Sequence, residues 1–365
     1  MELAMHTGSG DAETIGVQIA PWASARELVT TTALLGKAFD VVWVPDQMLA
    51  RNVYVVLSAI AASGHIGVAS GVTFPLSRNP IDMASAMATI GELAPPDRPV
   101  LMGMGAGGSL VASLFSKRSA TLLVRESIDL IRRLWAGESV QLSEYPALSA
   151  RLGWREDASA RLSYQVSRRI PIMVAVGGPK TLQLAEQLAD GLICTSTFPS
   201  LSYAALRSRD YSTAHRIIEL AKRRRHEGRD MRLVYGLNCC VSADRAAARA
   251  FGRRQAALTV ANPALWTALE STGLDLESAR AVRTVFEQGA GVDAAARQVS
   301  DGILDAFIVS GTPDECIEQL AELRGLARAA GFVEFYLGVP LGPDLAEAAQ
   351  ILVDTVVPEL WPARR

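Results

Sequence analysis

The chain has 365 residues, 49% of them apolar and 20% charged. That is enough to bury a sizeable core, and it excludes a disordered or purely solvating chain. With 36 basic against 38 acidic residues the formal charge is −2, so no global field draws the protein to nucleic acid or to an anionic membrane.

Met1 to Glu13 is polar and Gly-rich and lacks the apolar stretch of a signal peptide. From there, short β-branched runs alternate with longer Ala- and Leu-rich amphipathic segments, the pattern of βα units around a parallel sheet. Strands are expected at 15–20, 41–44, 66–71, 100–104, 172–176, 191–195, 233–241 and 333–339. Eight such strands close a (β/α)₈ barrel, an α/β TIM-barrel fold. Runs such as Val-Val-Trp-Val are apolar on successive residues, as strands are when both faces are buried. Helices are expected at 27–39, at 80–93 with Pro80 near its start, at 122–135, at 181–189 and at 314–330.

Two stretches break the rhythm. Residues 138–169, rich in Arg, Ser and aromatics, read as an insertion after strand four that covers one mouth of the barrel as a lid. Residues 261–300, after strand seven, read as additional helices with caps at Ser271, Thr272 and Asp293. No repeat or long linker separates domains, so the chain reads as a single domain over 1–365; a doubly wound sheet with a second domain is the other arrangement. The basic run from Lys222 to His226 lies on a polar helix without interleaved aromatics, and reads as a solvated face. Cys194, Cys239, Cys240 and Cys316 have no metal or disulfide spacing, which suits a reducing cytoplasm. No uncharged apolar run of about 20 residues is present to span a bilayer.

In such barrels the active site lies where the strands end. After strand five comes Ala175-Val176-Gly177-Gly178-Pro179-Lys180: two glycines admit a ligand close to the backbone, and the N–H groups at the following helix start form an anion pocket. The same residues also read as a tight βα turn. A second cluster, Gly103 to Gly108, ends strand four without the spacing of a dinucleotide fingerprint. Strand three runs into 70–80, where Arg78 is either an anion contact or a structural tether. Asp46, closing strand two, is either a carboxylate on the rim or an N-cap. The histidines form no metal or triad set.

In order, the segments FDVVWVPDQ (39–47), ASGVTFPLSRNPIDMASAMATIGEL (69–93), VRESIDLIRRLWAGESV (124–140), IPIMVAVGGPKTLQLAEQLADGLI (170–193) and VSGTPDECIEQL (309–320) resemble the luciferase-like monooxygenase superfamily. They are most similar to its deazaflavin-dependent branch, which includes methylenetetrahydromethanopterin reductase. The resemblance implies a barrel that binds coenzyme F420 or, alternatively, FMN. It also implies a non-proline cis peptide at Gly71-Val72 that presses on the cofactor's ring. By the same match Gly71, Val72 and Thr73 would meet the ring, and Gly105, Ala106 and Gly107 the ribityl chain. Ala175, Val176, Gly177, Gly178 and Pro179 would hold the phosphate, and Asp46 would lie at the pyrimidine edge. Family members often read Asp-His and Arg-His-Pro where this chain has Asp46-Gln47 and Arg78-Asn79-Pro80, so two rim histidines are missing.

The expected chemistry is hydride transfer between reduced F420 and a small organic substrate (an imine, enone or carbonyl). Asp46 or Gln47 would orient or protonate the acceptor, Tyr145, Trp154 or Tyr164 would close the lid, and Lys180, Arg151 or Arg155 would meet a polyglutamate tail. The alternatives are an FMN-dependent monooxygenase served by a separate reductase, a cofactor-free lyase or isomerase for a phosphate-bearing substrate, and a non-catalytic flavin-binding protein. Met83, Met87 and Ile90 form a stripe that is either core or a homodimer interface.

Overall fold

The computed structural model describes residues 14–107, 114–115, 119–262, 265–270 and 274–362. The expectations for Met1 to Glu13, Gly108, Ser271 and Thr272 lie outside them. Within them a parallel sheet closes on itself, from β1 (Ile15–Gln18), β2 (Val41–Val44), β3 (Gly67–Thr73) and β4 (Val100–Met104) through β5 (Ile172–Ala175), β6 (Gly191–Thr195), β7 (Arg232–Val241) and β8 (Glu334–Leu341). β8 pairs with β1, and β6 pairs with the first half of β7, so the ring has no open edge.

The successive apolar residues of the strands divide between two cores. Val41, Trp43, Ala69, Leu101, Met173, Ile193, Val234 and Tyr336 fill the barrel. Their neighbours Val42, Val44, Val68, Met102, Val174, Leu192 and Leu337 pack outward against the helices. Alternation along each strand therefore serves two apolar faces instead of one.

The return helices are α1 (Ala25–Leu35), α2 (Val53–Ser63), α3 (Pro80–Leu93), α4 (Ala120–Trp135), α5 (Pro179–Leu188), α6 (Ser212–His226), α7 (Arg245–Val260), α8 (Pro313–Ala329) and α9 (Leu345–Ile351). α3 starts where Pro80 lacks the N–H that a first turn leaves unused, with Asn79 capping Ile81. In α4 the stripe Leu123, Ile128, Ile131 and Leu134 is buried as its spacing demands. Met83, Met87 and Ile90 are fully buried within this chain, so that stripe is core. On α6, Lys222 and Arg223 pair with Glu219 and Glu186 on the surface, whereas Arg224 turns inward to the carbonyls of Ala185, Glu186 and Ala189.

Segment 138–169 packs on α3 and α4 and also reaches the rim, where Arg151 donates to the Leu76 carbonyl and lies over the Phe115 ring. Val140–Gln141 pairs with Ser159–Ala160, and Glu126 accepts from the N–H groups of Ala147 and Leu148. The Tyr145 hydroxyl donates to Asp129, the Tyr164 hydroxyl meets Ser85, and Trp154 packs half-buried against the outer core. These contacts tie Tyr145 to α4 and Tyr164 to α3. One expectation is corrected: Asp293 is not a cap, for it lies inside the helix Gly291–Ala296 and pairs with Arg254 at 3.2 Å.

The sequence reading also missed a ninth strand. Val309–Gly311 pairs with Cys239, Cys240 and Val241 of β7, taking up the edge that β6 leaves. Residues around it, from Ala248 to Ile308, share a small core of their own with Cys240, while Cys239 on the opposite face belongs to the main core.

Candidate active site

The centre of the rim is the end of β3. Its register with β4 shifts between Ser70 and Thr73, and the Gly71-Val72 peptide is cis. Glycine is needed at 71 because a Cβ there would lie 2.9 Å from Cβ of Trp43. Each carbonyl of the bulge is claimed by a different neighbour. The Gln18 carboxamide donates to the Gly71 oxygen at 2.8 Å. The Asp46 N–H donates to Val72 at 3.2 Å, and the Gly105 N–H to Thr73 at 3.1 Å. The ends of β1, β2 and β4 thus hold the bulge in place.

Asp46, 2% exposed, has both carboxylate oxygens occupied. Arg78 grips it through two parallel bonds, Nε to Oδ2 at 2.9 Å and Nη2 to Oδ1 at 2.7 Å, and the Thr73 hydroxyl donates to Oδ2 at 3.0 Å. The hydroxyl of Tyr54 meets Thr73 at 3.0 Å, and Arg78 stacks over the Tyr54 ring. The bond to Asp46 raises the Arg78 pKa, and burial raises that of the Tyr54 phenol, so both stay protonated at neutral pH. In this arrangement Asp46 anchors the bulge; it does not present a free acid to the mouth. Arg78 takes the tether role. Gln47 accepts from the Trp22 indole N–H.

Beside the bulge the wall is made of small residues. A Cβ on Gly105 would touch the Val72 side chain at 3.0 Å and Ala175 at 3.5 Å, so Val72, Gly105 and Ala175 form one continuous shelf. Ala106 packs against the outer core, and Gly107 holds a φ of 93°, a conformation that favours glycine. Val176 is buried, its N–H donating to Ile193 at 3.0 Å. Gly177 lies against the ring of Phe198, which a Cβ would meet at 2.5 Å. Gly178 faces open space, its φ of 175° being ordinary extended backbone.

The anion pocket expected at the start of α5 differs in detail. The N–H groups of Gly177 and Gly178 both donate to the Thr181 hydroxyl, at 3.1 Å each. The donors left to an anion are the N–H groups of Lys180 and Thr181 in the first turn, which Pro179 opens, with the exposed Lys180 ammonium beside them. Arg151 instead donates to the Leu76 carbonyl, and Arg155 pairs with Asp157.

The floor of the mouth escaped the sequence reading. Gln18 bridges Gly71 and the Val339 N–H, and the Asn238 carboxamide donates to the Thr195 hydroxyl at 3.4 Å. Each lies two positions beyond a glycine of the same strand face, Gly16 and Gly236. Counting parity from those glycines was the signal available. Among the described residues no group of His, Cys, Asp and Glu is arranged to hold a metal. A rim with neutral amides, hydroxyls and small residues suits a planar ligand that brings its own reactivity. A helix start with two unused N–H groups and a lysine suits a phosphate attached to that ligand.

Comparison with known proteins agrees. The model of the luciferase-like monooxygenase family matches residues 1–329. The 5,10-methylenetetrahydromethanopterin reductase of Archaeoglobus fulgidus is 31% identical over 358 residues, covering 94% of this chain and 99% of that protein. Among solved structures, the coenzyme F420-dependent tetrahydromethanopterin reductase of Methanopyrus kandleri superposes with a TM-score of 0.72 at 19% identity, covering 96% of this chain and all of that one. An F420-dependent secondary alcohol dehydrogenase, in complex with an F420-acetone adduct, gives 0.67 at 18% identity, with 96% and 99% covered.

Proposed function

Because the chain belongs to the luciferase-like monooxygenase family, we infer that it is an oxidoreductase passing a hydride between coenzyme F420 and a small organic substrate, an imine, enone or carbonyl. The observation that carries this reading is the shelf of Val72, Gly105 and Ala175, flat and uncharged, leading to the helix start at Pro179.

The bound deazaflavin supplies the carbon that gives or takes the hydride. The protein positions and excludes water. In this reading Gly71, Val72 and Thr73 support the ring, with the bulge fixed through Asp46, Arg78 and Gln18. Gly105, Ala106 and Gly107 flank the chain that leads to the phosphate. Ala175, Val176, Gly177, Gly178 and Pro179 frame the phosphate, and the N–H groups of Lys180 and Thr181 with the Lys180 ammonium bind it. Gln47, whose oxygen is held by Trp22, offers its NH₂ to a substrate oxygen or nitrogen. The same reading includes a homodimer and a separate enzyme that restores the cofactor.

FMN with monooxygenase chemistry is the second reading, favoured by the family model itself. Titration of the purified protein with F420 and with FMN, followed by cofactor fluorescence, separates the two. Saturable binding of F420 in preference to FMN is expected; binding of neither overturns the assignment. Among the described residues no helix is long and apolar enough to cross a membrane.

A further inference from the structure

On the far side of the mouth from Gly177 and Gly178, a small pocket opens between Trp22, Phe251, Gln255, Leu258, Val292 and Pro340, with Arg254 at its edge. Trp22 follows β1, Pro340 ends β8, and Phe251, Gln255 and Leu258 lie at i, i+4 and i+7 on one face of α7.

Three observations make it a binding site continuous with the rim. First, Trp22 is 43% exposed, unusual for so large an apolar side chain, yet its indole N–H is fixed on Gln47, next to Asp46. Second, Gln18 joins the oxygen of Gly71 to the N–H of Val339, so the bulge and the pocket's Pro340 wall hang on one side chain. Third, the half-buried Gln255 carboxamide bonds to no protein group among the described residues, which leaves it open to a ligand atom at the pocket wall. Arg254, by contrast, is committed to Asp293 and to the face of Phe251, so the pocket carries no free charge.

We propose that this pocket holds the non-reacting part of the substrate: a compact apolar group, a single ring or short branched alkyl, with one hydrogen-bonding atom for Gln255. Its place beside Gln47 leaves the substrate's reacting carbon to lie over the Val72–Gly105 shelf. The proposal rests on the oxidoreductase reading for the chemistry, though not for the binding.

The test uses the full chain and cyclohexanone, a compact ring with one acceptor, observed by saturation-transfer NMR. The wild type is expected to transfer saturation to the ring protons. Leu258→Trp, which fills the pocket, is expected to weaken binding at least tenfold, and Gln255→Ala about fivefold, with F420 binding unchanged in both. Trp22→Ala, which removes a wall without overfilling the core, keeps the test valid should Leu258→Trp not fold; a loss of about tenfold is expected. No transfer in the wild type, or equal transfer in Leu258→Trp and Trp22→Ala, overturns the pocket. Failure of the wild type to bind F420 strikes the oxidoreductase reading alone.

Discussion

The two ends of this barrel are built from different chemistry. At the end where strands begin, charge does the joining. Asp190 receives Arg132 at 2.7 Å, Arg169 at 2.9 Å and the Ile172 N–H at 2.9 Å. Arg232 pairs with Glu334 at 2.6 Å, Asp40 accepts from the Ile15 N–H, and Arg168 spans the carbonyls of Gly91, Ala94, Pro95 and Arg98. At the end where strands finish, the linking groups are amides and hydroxyls, and the wall residues are small. The buried ion pair of the bulge, Arg78 with Asp46, holds backbone in place. Water-facing charge is inexpensive at the closed end. At the mouth it would compete with a ligand for solvation, and that end is left nearly neutral.

Substitutions that mix the two logics test the contrast. The largest effect is expected from Arg78→Ala, which leaves the Asp46 carboxylate, its side chain fully buried, without its cation. Breaking such a pair costs about 3–5 kcal/mol, and the bulge should loosen with it. Thermal unfolding and F420 titration on one sample should both fall. Intact F420 binding with lost stability would detach the bulge from the site.

Asp190→Ala should come next, at about 2–3 kcal/mol of stability, with F420 affinity unchanged. Burial works against ionisation of Asp190, but the Ile172 N–H and the two arginines outweigh it and hold the pKa below the ordinary carboxylate value. With a depressed folded pKa, its contribution is complete above the unfolded value near about 3.9. It fades as pH falls through the folded one. Denaturant curves of wild type and Asp190→Asn should therefore run parallel at neutral pH and converge in acid. A constant gap down to strong acid would contradict this.

The smallest effect is the most selective. Gly178→Ala adds a methyl group to open space on extended backbone. Stability should hold within about 0.5 kcal/mol, while F420 affinity drops about tenfold, or about 1.4 kcal/mol. Equal affinity would move the phosphate elsewhere.

The strands Val41–Val44 and Val100–Met104, the start of α3 at Pro80 and the turn at Gly177-Gly178 were legible because each depends on local rules: β-branched runs, proline at a first turn, glycine near a backbone. The roles of Asp46 and Arg78 were not. Either residue alone reads as rim chemistry, and only closure of the ring brings them, 32 positions apart, into a bidentate pair. Gln18 and Asn238 lay inside the expected strands 15–20 and 233–241, but their roles stayed hidden because the contacts they make come from other strands. For segment 138–169, composition showed aromatics and arginines but not their partners, which for Tyr164 and Arg151 lie more than 70 positions away. The strand Val309–Gly311 is too short to carry a periodic signal.

That short strand has a consequence for how such an enzyme changes over generations. The ring of hydrogen bonds is complete once β6 meets the first half of β7. What hangs on the second half, from α7 to the helix Asp301–Phe307, keeps its own core around Cys240 and meets the ring at the added edge, along α7 and at the Phe307 carbonyl, which accepts from Ser196. Such a cassette can be lengthened, trimmed or resurfaced without re-registering a single barrel strand. Phe251, Gln255, Leu258 and Val292 all belong to it, so with substrate in the proposed pocket a lineage could trade one substrate for another here while inheriting its cofactor shelf intact.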